Sequence, residues 1–165
     1  MVSHASAAHV VPYVTSKSTI LSGVLYAEQT LHVEKKPSSL LPREDKRPDG
    51  LTLGPWQGGH CLACDAALVD TLAPSYVAVT DQVTRSAAQA AAERKVSKYA
   101  GLSASHLFVP IAIETFDLIN EAGHSFLFEL ESRLSTISDD PRESFFLFQR
   151  ISILIQRFNE AEARF

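Results

Sequence analysis

The chain has 165 residues, of which 45% are hydrophobic and 21% charged, and its formal net charge is -4. This length and balance fit one domain with a core of its own and exclude a chain that is disordered throughout. The acidic charge argues against a protein that holds nucleic acid by broad phosphate neutralisation alone, while leaving room for a metal-dependent site acting on DNA.

Residues 1–13 are small, polar and Ala/His-rich and read as a disordered lead, so residues 14–165 are taken as a single domain. Thr15 or Ser16 can cap a helix whose apolar positions Ile20, Leu21, Val24 and Leu25 carry it to Gln29. Leu31 and Val33 alternate with His32 and Glu34, as in a short strand, and Lys35 to Arg47 reads as a solvated loop. Two strands follow, Gly50 to Leu53 and His60 to Val69, joined through a Gly-rich turn over which Trp56 should pack. After an irregular stretch from Thr71 to Tyr76, an Ala-rich helix is expected from Asp81 to Tyr99, with Gly101 ending it as a left-handed cap.

Leu107 to Ile113 reads as a buried strand with Glu114 at its end, and Pro110 marks it as an edge or bulged strand. Asn120 should cap a helix to Ile137 that carries Phe126, Leu127, Leu130, Leu134 and Ile137 on one stripe. Asp139-Asp140-Pro141 breaks the chain, and a last helix runs from Pro141 to Ala163. Phe145, Phe146, Phe148, Ile151, Leu154, Ile155 and Phe158 make its apolar surface wider than one core-facing stripe needs; a buried final helix explains most of it, and the excess points to a homodimer or a docking surface in a larger protein. The order of elements is that of an α/β domain with a short central sheet and a C-terminal αα-hairpin.

Cys61 and Cys64 are too few for a disulfide framework and suggest a reducing compartment. No second Cys/His pair stands at zinc spacing, and a strand is not where a reactive thiolate is stabilised, so the two are read as buried small residues. The six histidines are dispersed. No secretory signal is read, and Gln149 and Arg150 interrupt the longest apolar stretch before it reaches the roughly 20 residues of a membrane span.

Asp65 is the residue that asks for an explanation. A carboxylate inside an apolar strand costs several kcal/mol of desolvation unless a cation, a metal or hydrogen-bond donors compensate it. Two carboxylates arriving from paired strands, here Asp49 and Asp65, are one way to hold a divalent metal through oxygen ligands. Asp49-Gly50 is also an ordinary turn signal, and Lys95 or Arg94 can satisfy Asp65 as a structural ion pair. Asp70 reads as a cap or loop residue.

Arg47-Pro48-Asp49-Gly50, the run Cys64 to Thr71, the run Ala92 to Tyr99, the run Phe108 to Thr115 and Gln149-Arg150-Ile151-Ser152 together resemble the restriction-endonuclease-like domain of the PD-(D/E)XK superfamily. More narrowly, they are similar to the version attached to reverse transcriptases of invertebrate retrotransposons. The resemblance spans roughly residues 20 to 160. It implies a restriction-endonuclease-like α/β fold with a short mixed central sheet flanked by helices, and a metal-dependent endonuclease that hydrolyses phosphodiester bonds of DNA, in the nucleus if it acts on genomic DNA. It further implies that Asp49 and Asp65 hold Mg2+ or Mn2+, with the carbonyl of Ala66 completing the protein ligands.

The lysine that usually stands two positions after the second acid is replaced by Ala67, and in the retroelement version it is supplied by the following helix, here by Lys95 or Lys98. Ala88, Ala91, Ala92, Lys95 and Tyr99 share one helical face whose small residues suit close docking on a sheet, which points Lys95 inward and makes Lys98 the accessory choice. Glu114 either matches the pattern as an accessory residue or simply terminates its strand, and Glu28 occupies a place where many relatives carry an assisting carboxylate, although a solvated helix face accounts for it better. The alternative is a catalytically inactive or domesticated remnant that acts as a binding or interaction module.

Overall fold

The computed structural model describes residues 32–37, 40, 46–71, 85–116, 118–140 and 142–162. The expected lead, the helix ending at Gln29 with its Glu28, and most of the stretch from Thr71 to Tyr76 lie outside them. Strand β1 (Val33–Lys35) pairs antiparallel with β2 (Gly50–Thr52), and β2 pairs antiparallel with β3 (Leu62–Val69). Helix α1 (Ser86–Lys98) then crosses to β4 (Leu107–Glu114), which lies parallel to β3 along its whole length. Helices α2 (Glu121–Ser138) and α3 (Glu143–Glu162) complete a mixed α/β fold on a four-stranded sheet of order β1-β2-β3-β4.

The period of two along β3 and β4 divides the core between the two faces of the sheet. Leu62, Cys64 and Ala66 join Ile111 and Ile113 against Phe126, Leu127 and Leu130 of α2 and Leu147, Ile151 and Ile155 of α3. The opposite face carries Val69, Ala112 and the half-buried Ala67, against which Ala87, Ala88, Ala91 and Ala92 of α1 pack. Alanine suits this face because it keeps the helix axis near the strands while burying apolar surface worth about 25 cal/mol per Å2. Cys64 is buried, as expected, and burial first, then the two nearby aspartates, pushes its thiol up to about 12. It is a packing residue and not a thiolate.

The hairpin between β2 and β3 turns at Gly58 and Gly59, both with positive φ, the conformation that a tight two-residue hairpin demands. Thr52 secures it from inside, donating to the Gly54 carbonyl and accepting from the Leu62 amide. Trp56 reaches beyond the hairpin to α2. Its ring packs on Phe126, with centroids 5.4 Å apart, and lies under the Arg133 guanidinium, which also donates to the Trp56 carbonyl at 2.8 Å.

Several helix ends differ from the expectation. Arg85 adopts a left-handed φ of 67°, so α1 starts at Ser86 and cannot run unbroken from Asp81. Gly101 is not a left-handed cap, because the chain tightens after Tyr99 into a 3-10 turn, Ala100–Leu102, that buries Leu102. Asn120 occupies the N-cap position of α2 but makes no side-chain cap bond. Its side chain instead accepts from the Ala112 amide at 2.8 Å and donates to the Pro110 carbonyl at 3.1 Å. Its own backbone N–H bonds the Ala112 carbonyl, and Glu114 N–H bonds the Leu118 carbonyl. Pro110 therefore sits on an edge strand, as expected, and the outer edge of β4 from Pro110 to Glu114 is sealed by the chain that follows it.

The stripe expected on α2 buries Phe126, Leu127 and Leu130 but leaves Ile137 in the last turn exposed. On α3 the core positions are Leu147, Ile151 and Ile155, while Phe145, Phe146 and Ile153 are exposed. No helix among the described residues is long and apolar enough to cross a membrane.

Candidate active site

Gly50 pairs with Cys64 and Leu51 with Ala63, and Asp49 stands one residue beyond this paired stretch, where its carboxyl meets that of Asp65. Like charges brought this close repel. Three contacts hold Asp49 in place. Its N–H donates to the Cys64 carbonyl at 2.9 Å, its carbonyl accepts from the Lys36 amide at 3.0 Å, and its carboxylate Oδ2 accepts from the Ala66 amide at 2.9 Å. The carboxylate thus takes the ladder position that a next β2 residue would have filled. In an extended strand the N–H and C=O of one residue share an edge, so the Ala66 carbonyl faces the same side as Asp49.

Asp65 lies on the α1 face of β3 and is only 4% exposed. Lys95 reaches it from α1, and its Nζ forms an ion pair and hydrogen bond with Asp65 Oδ2. Of the two lysines on this helix, Lys95 is therefore the one brought to the acids. Lys98 is exposed and lies over the Tyr99 ring, 4.7 Å from its centroid. Arg94 is exposed on the same helix, and Asp70 is exposed just beyond the end of β3.

Burial pushes the Asp49 carboxyl up to about 6, helped by a hydrogen bond shared with Asp65 and by that residue's charge, against the opposing pull of the Ala66 amide and Lys95. The two carboxyls meet, and one ammonium serves both. Tyr99, absent from the residues singled out in the sequence for chemistry, belongs to the same cluster. It is 1% exposed, and its hydroxyl donates to the Arg47 carbonyl at 2.8 Å. Burial first, then the charges of Asp65 and Asp49 and a hydrogen bond with Asp65, holds this phenol well above its ordinary value. Its place one turn beyond Lys95 on the Ala stripe is the signal that could have found it.

Glu114 takes a different position. Its register partner is Val69, at the far end of β3 from the Asp65 pairing with Pro110, and Oε1 accepts the Ala88 amide of the first turn of α1 at 2.9 Å. It is a buried carboxylate that satisfies the N-terminus of α1, where the helix dipole favours negative charge.

Among the described residues no group of three or more His, Cys, Asp and Glu side chains gathers as a metal-binding set. The cluster offers two carboxylates and one carbonyl, all hard oxygen donors, with a single ammonium against two negative charges. That donor set fits Mg2+ or Mn2+, which commonly take one or two carboxylates from the protein and fill the remaining positions with water and substrate phosphate. The chain matches no protein-family model and no curated protein in sequence.

Proposed function

We propose that this chain is a metal-dependent DNA endonuclease domain of the restriction-endonuclease-like kind, related to those of retroelement reverse transcriptases. The observation that carries the reading is the meeting of Asp49 and Asp65 at the end of the β2-β3 hairpin with the Lys95 ammonium on the same pair. Asp49, Asp65 and the Ala66 carbonyl would hold the ion. A divalent cation there supplies Lewis acidity towards a phosphate oxygen and towards water. Lys95 places a fixed positive charge where a phosphoryl group approaching the acids would develop negative charge, and its ion pair with Asp65 keeps it there without reorganisation. The mixed sheet and the helix that delivers Lys95 support the same assignment. The exposed Phe145, Phe146 and Ile153 of α3 support docking of this domain on a second copy or on a larger protein.

The test is nicking of supercoiled DNA with and without Mg2+. Activity that requires the ion and is lost in both Asp49→Ala and Asp65→Ala supports the proposal. Absence of cleavage, or equal cleavage by wild type and variants, removes it. One observation favours a second reading, an inactive remnant kept as an interaction module: Lys95 pairs directly with Asp65 and compensates its buried charge. Calorimetry separates the two, because such a scaffold binds no Mn2+ in the micromolar to low millimolar range.

A further inference from the structure

We infer that Tyr99 is a positioning residue for Asp49, acting through the Arg47 carbonyl, so that one turn of α1 sets both acids. The inference deepens the endonuclease reading and rests on it for its chemistry, but its geometry stands alone. Lys95 and Tyr99 are stacked at i and i+4 on the sheet-facing stripe of α1. The first bonds Asp65. The second bonds the carbonyl immediately before Pro48.

Pro48 is what makes that second bond consequential. Asp49 stands just outside the β2 ladder, tied to the backbone of β3 by its N–H on the Cys64 carbonyl, and the Arg47 carbonyl sets how the preceding chain reaches that bond. Between the Arg47 carbonyl and Asp49 there is one residue, and its ring holds φ near -65°, removing the softest degree of freedom of the connection. Pro48 is also buried. A hydrogen bond that holds the Arg47 carbonyl is therefore transmitted to Asp49 by a stiff link of a single residue, and Asp49 in turn reaches the Ala66 amide. The Tyr99 ring is itself held by Ala63, Leu102 and Phe108, the last with ring centroids 4.9 Å apart, so the hydroxyl is presented from a rigid support. A phenol needed only for packing has no use for its oxygen, and Phe would fill the same space.

The Ala66 amide reports this arrangement directly, because its partner is the Asp49 carboxylate and not a β2 backbone group. Hydrogen exchange followed by NMR on metal-free protein compares wild type, Tyr99→Phe and Phe108→Leu. The last variant loosens the Tyr99 ring contact but keeps the hydroxyl. In Tyr99→Phe the Ala66 amide is expected to exchange roughly tenfold faster, while the amides of Ile113 and Leu127 keep their protection. In Phe108→Leu any loss is expected to be shared by all three amides. Unchanged protection of Ala66 in Tyr99→Phe, or a loss no greater than that of Ile113 and Leu127, overturns the inference.

Mn2+ calorimetry on the same proteins adds a second readout, with affinity expected to fall roughly fivefold in Tyr99→Phe and to hold in Phe108→Leu. Equal affinity in wild type and Tyr99→Phe also overturns the inference. If wild type binds no Mn2+, the endonuclease reading fails, and the exchange comparison still decides the role of Tyr99.

Discussion

Lys95 of α1 bonds Asp65 of β3 across a sequence separation of 30 residues, and the pair is nearly closed to solvent, with side chains 14% and 6% exposed. Removing one partner of such a pair leaves an uncompensated buried charge, which typically costs about 3 kcal/mol. Lys95→Met should therefore lower stability by that order in urea denaturation. If the domain cleaves DNA, the same change should slow cleavage roughly 100-fold by removing the fixed charge beside the phosphate. Lys98→Met, made at an exposed site, should stay within about 0.5 kcal/mol of wild type.

Asp49 gives a pH dependence of definite sign. Its carboxyl is pushed up from 3.8 to about 6 in the folded protein. Between those values the folded chain binds a proton that the unfolded chain has released, so metal-free stability falls as pH rises from about 4 to 6 and then levels. Asp49→Asn removes this contribution. Stability measured in chelator should show the difference between wild type and variant growing against wild type across that window, so that the variant is the more stable at neutral pH while failing to bind Mn2+. A difference that is flat with pH would show that Asp49 titrates normally.

Glu114 should behave as part of the α1 terminus and not of the acidic site. Glu114→Ala leaves the Ala88 amide without its buried acceptor and should cost about 2 kcal/mol. Glu114→Gln keeps an acceptor, loses the charge favoured by the helix dipole and should cost about 1 kcal/mol. Neither is expected to change Mn2+ affinity, which calorimetry on the two proteins checks.

Gly123 sits where α2 crosses the edge of β4. A Cβ added there would lie 2.6 Å from Asn120 Oδ1 and 3.3 Å from the Ile111 Cα. Gly123→Ala should force the Asn120 side chain off the strand and cost about 2 kcal/mol, although alanine is the better helix former. Thermal unfolding of the variant gives the answer, and a stabilised Gly123→Ala would mean that Asn120 does not hold this edge.

Much of the arrangement around the acids was legible in local pattern. The spacing of Ala88, Ala91, Ala92, Lys95 and Tyr99 told which face of α1 meets the sheet, and that alone chose Lys95 over Lys98. The Gly-rich turn, and the strands on either side of it, told that Asp49 and Asp65 would arrive from paired segments. What local pattern did not carry were the roles of polar side chains whose partners are remote. Asn120 stands where a helix cap belongs and has the right chemistry for one, yet the exposed peptide groups of β4 compete for it and win. Glu114 looks like an accessory acid until the first turn of α1, crossing the sheet face, takes it. Gly101 misleads for a similar reason, because the burial of Leu102 draws the chain into a 3-10 turn where composition suggests a left-handed cap.

The Asn120 contacts along β4 reach beyond the stability of one molecule. An open strand edge is a template on which another chain can grow, and this one offers none over Pro110 to Glu114: proline lacks a donor, and side chain and backbone groups of the same molecule occupy the remaining positions. Self-association by extending the sheet is barred over this stretch, so any contact between copies there must be made by side-chain surfaces. Loss of the Asn120 amide would convert a sealed margin into a site for aggregation.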